Sequence, residues 1–254
     1  MFKRCHWVHL LRACLFSGLA MTAAPLLAAG GNAVVAGELP AVLDAQQLEV
    51  KGDAYDRETG ELLYSEYHFC STANASMCKV EYRDIFGSLI AVKSLDYTTG
   101  KHSPSLVMRD FRTKRDVVVE KEDEQNLVVD AGFDNFVRSR WQDLTDGKWV
   151  KFPFLVAGFD RALPMKARQD LREGCPAHEL CLKIALDSFL LGMLANPIEL
   201  NYSREGRKLL TFAGTSNIKS DKGKSQNVEI HYHYADDILF VGPSGRTPGV
   251  EYQL

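Results

Sequence analysis

The chain has 254 residues, with 30 Lys and Arg against 33 Asp and Glu and a formal net charge of −3. Its hydrophobic fraction of 46 % supplies a sizeable core and excludes an intrinsically disordered chain. The slightly acidic balance does not favour nucleic acid or an anionic membrane surface as a partner.

The first 36 residues have the pattern of a signal peptide. Three basic residues come early, Lys3, Arg4 and Arg12. A short apolar run over 13–29 follows, and small residues come after it. The run is shorter than the roughly 20 apolar residues of a transmembrane helix, and Pro25 interrupts it. The sequence therefore predicts export from the cytoplasm, with an uncleaved signal anchor as the alternative.

Cleavage of this segment leaves a mature chain over residues 37–254. The segment carries three bases and no acid, so the mature chain has 27 bases against 33 acids. We expect this part to form a single β-rich domain without a transmembrane span.

Four cysteines of the mature part fall into two close pairs, Cys70 with Cys78 and Cys175 with Cys181. In an oxidising compartment an even number of cysteines with local spacing predicts disulfides within each pair. Loops this small gain about 2–3 kcal/mol of stability per bridge. A four-thiolate zinc site is the alternative, although neither spacing has the short C-x-x-C form.

Residues 51–119 read as short β-type runs separated by turns that contain glycine. The turns lie at 58–60, 84–87 and 98–100. Because each turn joins two β-type runs directly, with no helical segment between them, the pattern is typical of an antiparallel meander.

The stretch 131–158 is the centre of the predicted fold. Its apolar residues recur at helical spacing, namely Phe133, Phe136, Val137, Trp141 and Leu144. The turn dipeptide Asp146-Gly147 separates this predicted helix from a strand rich in aromatic residues. We expect a mainly β (α+β) protein, in which a curved antiparallel sheet forms an incomplete barrel with one or two helices on its concave side.

The remainder continues the same pattern. The most apolar run of the mature part, 182–195, is expected to contain a short helix over 189–195 that ends at Asn196-Pro197. Turns at 204–206 and 221–223 then separate three further β-type runs. The last twenty residues, 235–254, include two prolines and are expected to be loosely held.

Three segments of the chain carry a resemblance to known proteins: 82–113, 133–148 and 198–218. Together they resemble periplasmic proteins of Gram-negative bacteria whose activity is not established. The resemblance implies a fold similar to the lipoprotein-carrier type, an unclosed and strongly curved antiparallel sheet with helices on its concave side. The shared segments are strand and turn patterns, so they imply no chemistry.

The aromatic load of the central stretch is the main functional signal. The candidate ligand-binding residues are Phe133, Phe136, Val137, Trp141, Trp149, Phe152 and Phe154. We expect a periplasmic binding module for an apolar or amphiphilic ligand, such as a lipid or envelope component, without catalysis and without a cofactor. The alternative is an envelope structural or protein-interaction module, since aromatic residues at such spacing more often fill a dry core.

A metal-assisted enzyme is the second alternative. His231 and His233 are two residues apart, so on a strand both point to the same face. No third ligand follows at a recognisable spacing, and two exposed strand histidines explain the pattern equally well. The sequence contains no Walker loop, no dinucleotide fingerprint and no complete nucleophile elbow. No metal site and no catalytic residue are therefore predicted.

Overall fold

The computed structural model describes residues 46–98, 100–120, 126–171, 174–188 and 197–236. These residues all belong to one compact unit, 37–254. The expectations for the signal peptide, for the helix over 189–195 and for the tail beyond Asp236 fall outside the described residues.

One sheet of thirteen strands and two short helices make up the described part of the chain. The first seven strands are β1 (Gln46–Asp56), β2 (Leu62–Ser71), β3 (Met77–Asp84), β4 (Leu89–Asp96), β5 (Ser105–Asp110), β6 (Arg115–Val119) and β7 (Val128–Val129). Helices α1 (Gly132–Ser139) and α2 (Trp141–Thr145) follow. The last six strands are β8 (Val150–Leu155), β9 (Leu163–Gln169), β10 (Glu179–Leu186), β11 (Ile198–Ser203), β12 (Leu209–Thr215) and β13 (Asn227–Tyr234).

The strands pair in the order β6-β5-β4-β3-β2-β1-β13-β12-β11-β10-β9-β8-β7. Every pairing is antiparallel except that of β7 with β8, which is parallel. Strand β1 lies between β2 and β13, so Asp53 has both Ser65 and His231 as cross-strand partners. This central strand joins two meanders into one sheet.

The sheet is curved and unclosed, as the sequence predicts. Irregularities in the register of β1 against β2, at Leu48/Val50 and at Ala54/Tyr55, are of the kind that bends a strand. Strands β6 and β7 stand at the two ends of the strand order and do not pair with each other. Strand β7 is instead held to the connection between β4 and β5, because the amide of Val129 donates a hydrogen bond to the carbonyl of His102 at 2.9 Å.

The structure has two helices, within the predicted one or two, but the interpretation of the central stretch as one continuous helix is wrong. The chain leaves helical geometry at Arg140, where φ is −101°. The hydroxyl of Ser139 donates to the carbonyl of Phe136 at 2.7 Å, a side-chain bond of the kind that competes with the regular helical pattern. The apolar face is kept across the break, since Phe136, Trp141 and Leu144 are all buried.

Both predicted disulfides are present. Cys70 and Cys78 are direct cross-strand partners on β2 and β3, with 4.1 Å between their Cα atoms. Cys175 is joined to Cys181 of β10, with 6.1 Å between the Cα atoms. Two disulfides fit an oxidising compartment, and the four-cysteine zinc alternative is not the arrangement found.

Candidate binding cavity

The concave side of the sheet forms a cavity of about 1300 Å³ that is partly open to solvent. We call it the concave cavity. Helix α1 lies on the same side and contributes four lining residues, Phe133, Asp134, Asn135 and Arg138. The volume exceeds the roughly 300–1,000 Å³ of sites for drug-sized ligands.

One wall of the concave cavity is almost entirely apolar. It is formed by strands β8 to β12, and its side chains include Phe154, Leu163, Met165, Ile184, Leu186, Ile198, Leu200 and Phe212. Residues two apart on each strand share this face, which follows from the alternation of side chains along a β-strand. An apolar ligand of suitable size that contacts this wall would remove apolar surface from water, and this favours binding.

The opposite wall carries a buried polar cluster. Glu66 of β2 is only 5 % exposed, and its Oε1 lies 3.1 Å from Nε2 of His68. The hydroxyl of Tyr232 on β13 donates to the same carboxylate. Burial acts to raise the pKa of Glu66, but His68, Tyr232 and the nearby Lys93 outweigh it and hold this pKa below its usual value. Glu66 is therefore an ionised carboxylate inside a largely apolar cavity.

A second polar group ties the sheet to the segment before α1. The ammonium of Lys93 on β4 forms an ion pair with Asp130, and both side chains are nearly inaccessible to solvent. Asp130 also accepts hydrogen bonds from Nδ2 of Asn217 at 3.1 Å and from the amide of Ala157 at 3.3 Å. One carboxylate thus connects β4, the β8–β9 connection and the β12–β13 connection.

Helix α1 adds a third polar group. Asp134 accepts a hydrogen bond from the hydroxyl of Tyr202 at 3.1 Å and pairs with Arg138 one turn along the helix. Burial raises the pKa of Asp134, while Arg138, Tyr202 and His68 act in the opposite direction. The interaction with His68 relates this group to the Glu66 cluster.

The structure separates the seven residues predicted from the sequence into three environments. Phe133 and Phe154 line the concave cavity, with 5.5 Å between their ring centroids. Four others are buried in the core between the helices and strands β8 to β11, namely Phe136, Val137, Trp141 and Phe152. Trp149 is 49 % exposed, stacks on Arg168 at 4.5 Å and does not line the cavity.

The predicted histidine pair faces away from the concave cavity. Ile230, Tyr232 and Tyr234 of β13 line the cavity, while the alternating residues His231 and His233 line a shallow depression elsewhere on the surface. Nε2 of His231 lies 3.0 Å from a carboxylate oxygen of Glu229. Within the described ranges no group of three or more His, Cys, Asp or Glu side chains is placed to hold a metal ion.

The sequence analysis missed Glu66, Lys93 and Asp130. A signal was present for the first two, because each sits in register with apolar residues that face the interior. Glu66 follows Tyr64 by two positions, and Lys93 lies two positions before Leu95. A charged residue on an otherwise buried face of a strand indicates either a partner or a site.

We expect Glu66→Gln to lower the free energy of unfolding by about 2 kcal/mol at pH 7, because it removes charge-assisted hydrogen bonds. The folded-state pKa of Glu66 lies below the ordinary value of 4.5, so its ionised form stabilises the fold at pH values above 4.5. This contribution is lost as the pH falls through the folded-state pKa. The difference between the two proteins should therefore shrink as the pH falls from 7 to below 4.5.

Urea unfolding of both proteins across this pH range measures the effect, with Glu58→Gln on the exposed β1–β2 hairpin as the control. A gap between wild type and Glu66→Gln that widens towards acid pH would contradict the assigned charge state.

Comparisons with known proteins identify neither a family nor a function for this chain. No protein-family model matches the sequence, and neither does any curated protein. Among solved structures, a domain from Vibrio parahaemolyticus described as that of an outer membrane lipoprotein-sorting protein is similar with a TM-score of 0.24 and 6 % identity. The match covers 75 % of this chain and 85 % of that chain. A TM-score of this size does not establish a shared fold, so the function is argued from the residues of the cavity.

No described helix has both the length and the apolar character needed to cross a membrane.

Proposed function

We propose that this protein is a periplasmic binding protein for an amphiphilic molecule with a lipid-sized apolar part. The observation that carries the proposal is the concave cavity, which has a volume of about 1300 Å³. Its apolar wall lies opposite the buried polar cluster around Glu66. A dry core would favour the envelope interaction module, whereas a void of this volume favours a ligand. The predicted signal peptide and the two disulfides support the compartment.

The two walls suggest how such a molecule is held. Its apolar part lies along strands β8 to β12 beside Phe133 and Phe154, where contact removes apolar surface from water. Its polar part lies opposite, where the ionised carboxylate of Glu66 offers a strong hydrogen-bond acceptor. Hydroxyl, amide and ammonium groups all supply the matching donors. Binding then requires no chemistry from the protein.

The test is a titration of the delipidated protein with a fluorescent long-chain alcohol, whose hydroxyl group can donate to Glu66. We expect saturable binding, and we expect Phe154→Ala to weaken it by about tenfold or more, because a buried Phe contact contributes about 1.5–3 kcal/mol. We expect Phe133→Ala to weaken binding by a similar factor, for the same reason. Far-UV circular dichroism and thermal unfolding establish that each variant is folded at the assay temperature.

Trp149→Ala is the matched control, since this aromatic residue lies close to Phe154 in sequence but outside the concave cavity. Its affinity should equal that of wild type. Failure of the wild-type protein to bind either this probe or fluorescent phospholipids would overturn the proposal. So would equal losses in the Trp149 and Phe154 variants.

A further inference from the structure

The exposed apolar residues of the described sheet are concentrated at one end. Because consecutive antiparallel strands reverse direction, the β1–β2, β3–β4, β5–β6, β8–β9 and β12–β13 connections all lie at one end, which we call the turn end. Both disulfide loops belong to the opposite end, between β2 and β3 and before β10. Of the nine exposed large apolar residues in the described ranges, six lie at the turn end: Leu62, Ile85, Phe86, Leu89, Phe111 and Phe159.

Contacts between the connections make this a continuous surface. The amide of Phe111 donates to the carbonyl of Ile90, which places Phe111 beside the first residues of β4. Arg112 pairs with Asp221 of the β12–β13 connection at 3.1 Å. Arg115 donates to the carbonyl of Gly158, the neighbour of Phe159, at 3.0 Å. The aromatic residues at the tips of three connections therefore share one surface.

Charge at this surface differs from that of the chain as a whole. The segments 111–115, 156–162 and 219–224 together carry seven Lys and Arg and two Asp, and the segments 57–61 and 84–88 at the same end add one Arg and three acids. The turn end therefore has an excess of three positive charges, although the complete chain has a net charge of −3. The low net charge gives no indication of this local excess. Exposed apolar side chains surrounded by basic residues are the combination that favours an anionic lipid surface, where the rings enter the interface and the bases meet headgroups.

We propose that the turn end docks onto membranes that contain anionic phospholipid. The concave cavity reaches the same end, because Arg115, Phe159 and Lys219 also line it. A bound membrane would therefore lie directly against the cavity. This surface is formed by residues outside the apolar wall, so docking does not depend on which molecule the cavity holds.

The experiment is flotation of the mature chain, residues 37–254, with vesicles of phosphatidylethanolamine and phosphatidylglycerol. We expect wild type to float with these vesicles and to remain unbound with vesicles of phosphatidylcholine alone. The variant Phe86→Ser/Phe111→Ser should reduce the partition coefficient by about tenfold or more. Lys222→Gln/Lys224→Gln should reduce it by about fivefold per charge at low salt and by less at high salt.

Leu171→Ser is the matched control, because Leu171 is 84 % exposed at the opposite end, compared with 86 % for Phe86. Its partition coefficient should equal that of wild type. Absence of flotation by wild type overturns docking, as does an equal loss in the Leu171 variant or full binding by Phe86→Ser/Phe111→Ser. Equal binding to vesicles of phosphatidylcholine alone overturns the proposed preference for anionic phospholipid. Since no cavity residue is altered, titration of the same variants with the fluorescent long-chain alcohol reports separately on the proposed function.

Discussion

Lys93→Met lowers the free energy of unfolding by about 3–5 kcal/mol, the expected cost of leaving one member of a buried ion pair without its partner. Asp130 would then have no cationic partner, and its nearly inaccessible side chain would be held only by two neutral donors, Asn217 and the amide of Ala157. Methionine is close to lysine in length, so the loss arises from charge and not from a cavity. Chemical denaturation at pH 7 measures it.

The surface pair of Arg109 with Asp116 provides the matched control. These side chains lie 3.3 Å apart and are 37 % and 56 % exposed. Exposed pairs of this kind contribute about 0–1 kcal/mol, so Arg109→Met should have little effect. The variant Lys93→Met/Asp130→Asn should recover part of the loss, because Asn has no charge to bury and tolerates the positive φ of 38° at position 130. Equal losses in the Lys93 and Arg109 variants would contradict the assignment of a buried pair.

Gly132→Ala is expected to destabilise the protein by about 3 kcal/mol, the upper part of the usual range for overpacking. Gly132 begins α1 and lies directly against His102 and Pro104 in the connection between β4 and β5. An added Cβ would come within 2.1 Å of the carbonyl oxygen of His102 and 2.7 Å of Cδ of Pro104. Both are atoms of the backbone or of a rigid ring, so the helix or the 100–104 segment must move.

The sign of this effect is informative, because helix propensity alone favours alanine over glycine by about 1 kcal/mol. Gly206→Ala is the control, since the nearest atom to its added Cβ would be 3.4 Å away, an ordinary contact. Thermal unfolding of the three proteins measures the difference. A Gly132→Ala protein as stable as wild type would show that α1 does not need its close approach to His102.

The strands were predictable because the information for them is local. Glycine at positions 60, 87 and 223 marks turns in which φ is positive, a conformation that glycine adopts without strain. The alternation of apolar residues between these turns then defines which face is buried. The antiparallel pairing of the strands and the face that they bury follow from these two signals.

The helix break and the polar clusters were less accessible from the sequence. Apolar spacing continues unchanged across Arg140, so periodicity alone could not show that one helix becomes two. Lys93 and Asp130 are 37 positions apart, and their contact depends on how far the sheet curves. The two-residue alternation of a β-strand can place Lys93 on the inner face of the sheet, but it cannot show that Asp130 is its partner.

The candidate site illustrates the same limit. Phe133 and Phe154 line the cavity, whereas Phe136 and Phe152 from the same pattern fill the core, with 4.6 Å between their ring centroids. All four have the same chemical character and similar spacing. Which of them faces a void depends on the volume enclosed by thirteen strands, and that volume is not a local property of the sequence.

Native mass spectrometry of the protein recovered without delipidation from the cells that make it tests the central claim most directly. We predict a folded species with two disulfides that carries one amphiphilic molecule, released by organic solvent and absent from the denatured protein. A folded species at the mass of the chain alone, which also takes up nothing from a lipid extract of the same cells, would contradict the assignment of the concave cavity as a binding site.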